Sequence, residues 1–184
     1  KMPGSYEEKF KNLMAGYAFM TGHPGKKLLF MGQDFGQHRE WSEERELDWF
    51  LLEKEPNHQL QLFVKELLHL YKSNKCLYEY DCWPEGFEWI NADDGDRSIF
   101  SFVRHSASGK NNMLFVINFT PVERPDYRVG TTCRRKHTLV LNSDDKKFGG
   151  KGKRRPKEYK PVKKEGDGRK YSIQYKLPAY GVAV

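Results

Sequence analysis

A short apolar run that passes directly into a polar, aromatic loop constrains this chain more than any other feature. Leu28 to Met31 are four consecutive apolar residues, and Gly32 ends the run. A continuous apolar run of this length is typical of a strand covered on both faces, as in a parallel sheet flanked by helices, whereas a half-exposed strand alternates. We therefore predict a buried strand at Lys27 to Met31.

The segment that follows this strand is a candidate ligand site. In parallel α/β folds, the loops that leave the carboxyl ends of the strands are where ligands bind. The alternative is that Gly32 and Gly36 only shape a tight turn whose polar residues are solvated. The polar and aromatic residues of this loop are Gln33, Asp34, Gln37, His38, Arg39, Glu40 and Trp41.

Several motifs carry a family resemblance. The run MGQDFGQHREW at 31–41, with ELDW at 46–49, resembles the end of the catalytic barrel of bacterial 1,4-α-glucan (glycogen) branching enzymes, members of the α-amylase superfamily (glycoside hydrolase family 13). The resemblance continues through GFEWINADDGDRSIFSFVR and NFTPVERPDYRVG to the final LPAYGVAV, and so covers essentially the whole chain. The chain departs from the family at Asp34, where glutamate is usual, which keeps the charge but shortens its reach.

Two helices are predicted in the first half. Ser5 and Glu8 form a capping-box pattern before a helical repeat of apolar residues, which predicts a helix from about Tyr6 to Met20. A second apolar stripe predicts a helix from about Asn57 to Ser73. The resemblance implies that residues 1–75 are the incomplete carboxy-terminal end of a (β/α)8 barrel, namely its seventh helix, eighth strand and eighth helix.

The second half alternates as β-strands do. Strand-like segments flank Asp93 to Asp96, whose Asp-Gly element is a hairpin signal. We predict an all-β antiparallel sandwich at 76–184, and the resemblance implies the carboxy-terminal domain of the same superfamily. The predicted strands are 87–90, 98–103, 113–119, 138–141, 171–177 and 181–184.

The net charge of +7 is concentrated in one segment. Residues 134–170 contain fifteen basic and five acidic side chains, whereas residues 1–75 are balanced. Because residues from about 143 to 169 are rich in Lys, Gly and Pro and poor in aliphatic residues, we predict a mobile insertion there. The segment matches no nucleic-acid recognition motif and has few aromatic residues, so we expect a solvated loop and no nucleic-acid partner.

The resemblance implies a retaining transfer, in which one carboxylate forms a glycosyl-enzyme and a second acts as acid and then base. In the family these carboxylates and a supporting aspartate follow barrel strands four, five and seven. No residue of this chain matches a catalytic position, and Asp34, Glu40 and Asp48 are not assigned to that role. We expect the chain alone to be inactive.

The chain is instead expected to contribute to the rim of an active site. Hydrogen-bonding groups and an aromatic face suit a glucose unit, so candidate substrate contacts are assigned in the loop. The alternative is that Asp34 and Arg39 orient neighbouring loops and Trp41 packs against the barrel, and we expect Trp49, Trp83 and Trp89 to pack in the core. The candidate contacts are Gln33, Asp34, Gln37, Arg39 and Trp41.

The expected function is therefore that of the carboxy-terminal part of a glycogen branching enzyme. Its expected partners are α-glucan (glycogen or amylose) and a missing amino-terminal part of the same polypeptide, with no cofactor, no metal and no membrane. Three scattered cysteines favour a reducing cytoplasm. Alternatives are a non-catalytic glucan- or anion-binding β-sandwich module and, less favoured, a trehalose-forming or debranching relative.

Overall fold

Helix α1 spans Tyr6–Gly22 in a computed structural model that describes residues 2–184. It begins at a capping box, in which the Glu8 N–H donates to Ser5 Oγ (3.3 Å) and the Ser5 N–H donates to the Glu8 carboxylate (2.7 Å). These two bonds satisfy amide groups that the first turn of a helix leaves without partners. The predicted helix is confirmed and extends to Gly22.

Helix α2 spans Glu55–Ser73 and has Pro56 in its first turn, where proline costs the helix no hydrogen bond. Its apolar stripe is buried and packs against α1. The predicted helix is confirmed, and it begins two residues earlier than expected. The buried residues of the stripe are Leu60, Phe63, Val64 and Leu67.

The strand predicted at 27–31 is not formed, and this prediction is wrong for the structure of this chain. Residues 26–30 have no regular structure, and Leu28, Phe30 and Met31 are exposed, Leu28 by 76%. A strand exists only where a neighbouring strand takes up its backbone N–H and C=O groups. Within residues 2–184 no strand lies beside this segment.

The second half is antiparallel β-structure, as predicted. A four-stranded sheet has the order β1-β2-β3-β8, and two two-stranded sheets pair β4 with β7 and β5 with β6. The β1–β2 hairpin encloses the predicted Asp-Gly turn. The strands are β1 (Phe87–Asn91), β2 (Ile99–Arg104), β3 (Met113–Asn118), β4 (Arg124–Thr131), β5 (His137–Thr138), β6 (Glu158–Tyr159), β7 (Tyr171–Leu177) and β8 (Val182–Ala183).

The four-stranded sheet has a core on each face, because alternate side chains of a strand point in opposite directions. On one face Phe102 and Phe115 stack with ring centroids 5.1 Å apart and join the core formed by α1 and α2. On the other face Val103 and Val116 join Val129 and Ile173 of the β4–β7 sheet. The helical core thus runs across the predicted boundary at residue 75.

Arg104 ties the end of α1 to the β-domain. Its guanidinium is fully buried and donates to the carbonyl oxygens of Gly22 (2.8 Å) and Gly86 (3.2 Å) and to the Asp81 carboxylate (2.5 Å). A buried guanidinium needs this number of acceptors, since an unpaired buried charge costs several kcal/mol. Arg104 therefore adds polar contacts at the junction between the two halves to those of the shared core.

The basic segment 143–169 makes more contacts than its composition predicts. Phe148 is 2% exposed and meets Phe63 of α2 edge to face at 5.1 Å. Arg155 is buried against Asp144 at 3.0 Å, and β6 pairs with β5. A single aromatic residue and an ion pair between buried side chains therefore attach parts of the segment to the rest of the fold. Its mobility as a whole stays a prediction.

Candidate functional site

The candidate rim loop is held by two glycines and by contacts to both helices. Gly32 (φ 77°) and Gly36 (φ 69°) flank one turn of 3-10 helix at Gln33–Phe35, and both occupy the left-handed region that favours glycine. Phe35 is fully buried, and the Asn57 side chain of α2 donates to its carbonyl oxygen at 2.7 Å. The loop is therefore fixed to α2 rather than free in solvent.

Gln33 and Asp34 lie where the loop meets α1. The Tyr17 hydroxyl donates to the Gln33 carbonyl oxygen (2.7 Å), and the Gln33 side-chain oxygen accepts from the Phe30 N–H (2.8 Å). Burial, helped by the charge of Asp34, raises the pKa of Tyr17 to about 12, so the hydroxyl stays a donor at neutral pH. Gln33 is exposed and Asp34 is half-buried.

Gln37 and Arg39 make their polar contacts within the loop. The Asp48 N–H donates to the Gln37 side-chain oxygen (2.8 Å), and the Gln37 amide donates to the Arg39 carbonyl oxygen (3.1 Å). Arg39 holds the Asp48 carboxylate with two nitrogens, Nε at 2.9 Å and a second guanidinium nitrogen. This ion pair lowers the pKa of Asp48 and closes the loop from residue 37 to residue 48.

Trp41 presents an aromatic face beside the loop. It is 40% exposed, and its ring meets Phe30 edge to face at 5.5 Å. Several other apolar side chains close to Trp41 in sequence are also exposed, which is more than the scattered exposure usual on a protein surface. The exposed large apolar residues from 28 to 50 are Leu28, Phe30, Met31, Trp41, Trp49 and Phe50.

The other tryptophans divide between packing and exposure. Trp89 contacts Phe87 and Phe102 on the core-facing side of the sheet, yet it is 37% exposed. Trp49 packs on Phe35 at 5.4 Å and is half exposed. Trp83 is 63% exposed, so its predicted core position is wrong, because it precedes a short 3-10 turn at Pro84–Gly86 instead of lying in a strand.

The arrangement offers binding groups rather than a reacting centre. Of the three carboxylates considered from the sequence, Asp48 forms an ion pair with Arg39. His38 contacts the Tyr6 hydroxyl through Nε2 at 3.2 Å. In residues 2–184 no three His, Cys, Asp or Glu side chains converge as metal ligands would, and none of the helices described there has the length and apolar character needed to cross a membrane.

The structure shows the five candidate residues on one loop, together with residues that the sequence did not assign to the candidate site. Tyr17 and Asp48 position the backbone of the loop, and Phe30 supports Trp41. One sequence feature could have indicated the pairing of Arg39 with Asp48, because the two residues lie in the motifs at 31–41 and 46–49. No sequence feature indicated the contact of Tyr17 with the loop, because this contact depends on how α1 packs.

Comparison with known proteins relates this chain to a domain family and to individual enzymes. The family model described as "Alpha amylase, C-terminal all-beta domain" matches residues 89–184. A 1,4-alpha-glucan branching enzyme of Butyrivibrio fibrisolvens is 51% identical over 184 residues, which is 100% of this chain and 29% of the relative. Those of Aquifex aeolicus (45% identical over 182 residues, 99% of this chain) and Geobacillus stearothermophilus (42% identical over 184 residues, 100% of this chain) are likewise covered over 29% of their length.

The chain thus spans less than a third of the length of these relatives. The family model covers slightly more than half of the chain, and its residues are those of the antiparallel sheets. By both the match and the observed strands, this chain belongs to the family of the alpha amylase C-terminal all-beta domain.

Proposed function

We propose that the chain is the carboxy-terminal part of a bacterial glycogen branching enzyme. The observation that carries this proposal is the likeness of residues before 89, which lie outside the family model yet align with branching enzymes over 99–100% of the chain. An all-β domain alone would suit many members of the superfamily. The first half, with its MGQDFGQHREW loop, points to branching enzymes among them.

The reaction of the parent protein would cut an α-1,4 glucan bond with retention and pass the chain to a 6-hydroxyl, which creates an α-1,6 branch. Such a step needs two carboxylates on either side of the bond. The candidate loop has Asp48 tied to Arg39 and Asp34 half-buried beside Tyr17, so it supports no such pair. The chemistry is therefore assigned to the part of the parent outside this chain, with no cofactor and a cytoplasmic setting.

The role of residues 1–75 is to complete a (β/α)8 barrel. In the parent protein, α1 and α2 would be the seventh and eighth helices, and residues 27–31 would be the eighth strand between neighbouring strands. The exposure of Leu28, Phe30 and Met31 supports this assignment, since apolar groups of this extent are usually covered by a partner. The alternative, an independent binding module, is less well supported because it does not explain why the first half of the chain resembles branching enzymes.

The loop after that strand would form part of the active-site rim. Trp41 has the exposed aromatic face that suits the apolar side of a glucose unit, while Gln33 and Asp34 offer polar groups to its hydroxyls. Gln37 and Arg39, whose polar atoms bind within the loop, act as positioning residues for Trp41.

The rim assignment is tested in a polypeptide that extends this chain upstream to the length of its relatives. We expect Trp41→Ala to lower kcat/KM for amylose by about tenfold or more, because a sugar contact of about 1.4 kcal/mol is lost. Trp83→Ala is the matched control, since Trp83 is more exposed and lies outside the loop. Equal activity of the two variants, with both folded, would remove Trp41 from the rim.

A further inference from the structure

A cleft of about 460 Å³ lies between the two larger sheets of the β-domain, away from the candidate rim loop. Its floor is apolar and comes from both sheets, with Val103 and Val116 on one side and Val129 and Ile173 on the other. Small-molecule sites commonly have volumes of roughly 300–1,000 Å³ and apolar linings with a few polar groups. The size and floor of this cleft are those of a ligand site.

The charged side chains around the cleft are all basic. Lys110, Arg135 and Lys136 line it, and no aspartate or glutamate does. Lys136 pairs with Glu158 at 2.6 Å, whereas no carboxylate lies within ion-pair distance of Lys110 or Arg135 in the described part of the chain. Val184, the last residue of the chain, also lines the cleft, and its terminal carboxylate accepts from the Val140 and Leu141 N–H groups. Lys110 and Arg135 are therefore the basic groups of the rim that have no ion-pair partner among the described residues.

His137 also lines the cleft but adds no charge to it. Burial lowers the pKa of His137, although a hydrogen bond with the Arg135 backbone acts in the opposite direction, so the imidazole is neutral at pH 7. The positive charge at the cleft therefore comes from Lys110, Arg135 and Lys136.

We propose that this cleft binds a small amphipathic anion, with its apolar body against the apolar lining of the cleft and its carboxylate or phosphate head at the rim beside Lys110 and Arg135. Charge complementarity selects the head, and the valine and isoleucine floor selects the body. A neutral glucan fits the cleft less well, because Lys110 and Arg135 at the rim would stay without a counter-charge. This site is separate from the proposed glucan rim and does not depend on the branching function.

The test uses the full chain and four probes in calorimetric titrations: octanoate, octyl phosphate, octyl glucoside and acetate. We expect saturable binding of one octanoate or octyl phosphate, and the tighter of the two identifies the head. Octyl glucoside, with the same tail and no charge, should bind at least about tenfold more weakly, and acetate should not bind. Binding of octyl glucoside as tight as octanoate would overturn the anionic head, and absence of binding by both anions would overturn the site.

Variants locate the contact. Arg135→Gln and Lys110→Gln should each weaken octanoate about tenfold, because each removes a charge-assisted hydrogen bond. Lys160→Gln with Lys163→Gln is the matched control, since both lysines are exposed and neither lines the cleft. An equal loss in the control would show diffuse charge attraction and overturn the proposal. In wild-type protein, octanoate should also shift the methyl NMR signals of Val103, Val129 and Ile173, and shifts confined to surface residues would count against it.

Discussion

At the scale of single residues, the positive charge of Lys27 lowers the stability of the folded protein at the junction between the two halves. Its ammonium group donates to the His23 carbonyl oxygen and lies 5.5 Å from the centre of the Tyr71 ring. Burial lowers the pKa of Lys27 to about 8, although the charge of Asp81 acts in the opposite direction. Because the folded protein gives up this proton more easily than the unfolded chain does, Lys27 opposes folding at neutral pH.

The prediction is a change in stability with pH. Between about pH 8 and pH 10 the unfolded chain holds the Lys27 proton and the folded protein does not, so the contribution of Lys27 to the free energy of unfolding rises with pH. Tyr17 and Cys76, whose pKa values are raised to about 12 and about 11, act in the opposite direction at higher pH. The difference between wild type and Lys27→Met cancels their contributions.

This difference is measured by urea denaturation at pH 7.5, 8.5 and 9.5. We expect wild type to gain stability relative to Lys27→Met as the pH rises. A constant difference over the three values would show that Lys27 titrates normally in the folded protein.

Phe148 is the second residue whose contribution can be isolated. It is 2% exposed and packs on Phe63, so Phe148→Ala should lower the free energy of unfolding by about 3–5 kcal/mol through lost burial and a cavity. Phe50→Ala deletes the same atoms at a 58% exposed position and should change it by about 0.5 kcal/mol or less. The measurement is chemical denaturation of both variants, and similar losses would contradict the anchoring of the basic segment by Phe148.

At the scale of elements, the local sequence pattern predicts the helices and the β1–β2 hairpin correctly. It fails where the structure of a segment depends on a neighbouring strand. α1 and α2 carry caps and apolar stripes that are complete within their own sequences. The apolar run at 27–31 resembles a strand, but a strand depends on hydrogen-bonding neighbours. β4 was not predicted because Pro125 and Asp126 disrupt its alternation, and its register with β7 shifts between Arg124 and Tyr127.

Asp144 organises the start of the basic segment. Its carboxylate accepts from Arg155 (3.0 Å) and from the Lys151 N–H (3.0 Å), and its carbonyl oxygen accepts from the Gly152 N–H at 2.7 Å. Gly150 fits against it closely, since a Cβ atom there would lie 2.1 Å from the Asp144 carbonyl carbon. The backbone of the turn from 144 to 155 is thus held by hydrogen bonds around Asp144, while its lysine side chains are exposed.

Limited trypsin digestion tests this element, which is rich in cleavage sites. We expect Asp144→Ala to raise the rate of cleavage between residues 146 and 157 at least about tenfold, because Arg155 is left buried without its partner. Asp145→Ala, which alters an exposed neighbour, should be cleaved at nearly the wild-type rate. Rapid cleavage of the wild type itself would contradict this ordered turn and support the predicted mobile insertion.

At the scale of the whole molecule, the two predicted domains share one hydrophobic core. Phe10 and Met14 of α1 belong to the same cluster as Phe102 and Phe115 of the four-stranded sheet, and Arg104 links the two halves. The motifs placed all five candidate residues on one loop. Which of them bind within the loop could not be predicted, because Arg39 reaches Asp48 and Gln37 accepts from the Asp48 N–H only in the folded loop.

The proposed function assigns this chain to a branching enzyme whose catalytic groups lie outside residues 1–184. The direct measurement counts α-1,6 linkages formed in amylose by this chain and by a polypeptide extended upstream to the length of its relatives, assayed side by side at equal concentration. We expect branches from the extended polypeptide alone. Branches formed with turnover by residues 1–184, or none by the extended polypeptide while this chain retains amylose, would contradict the claim.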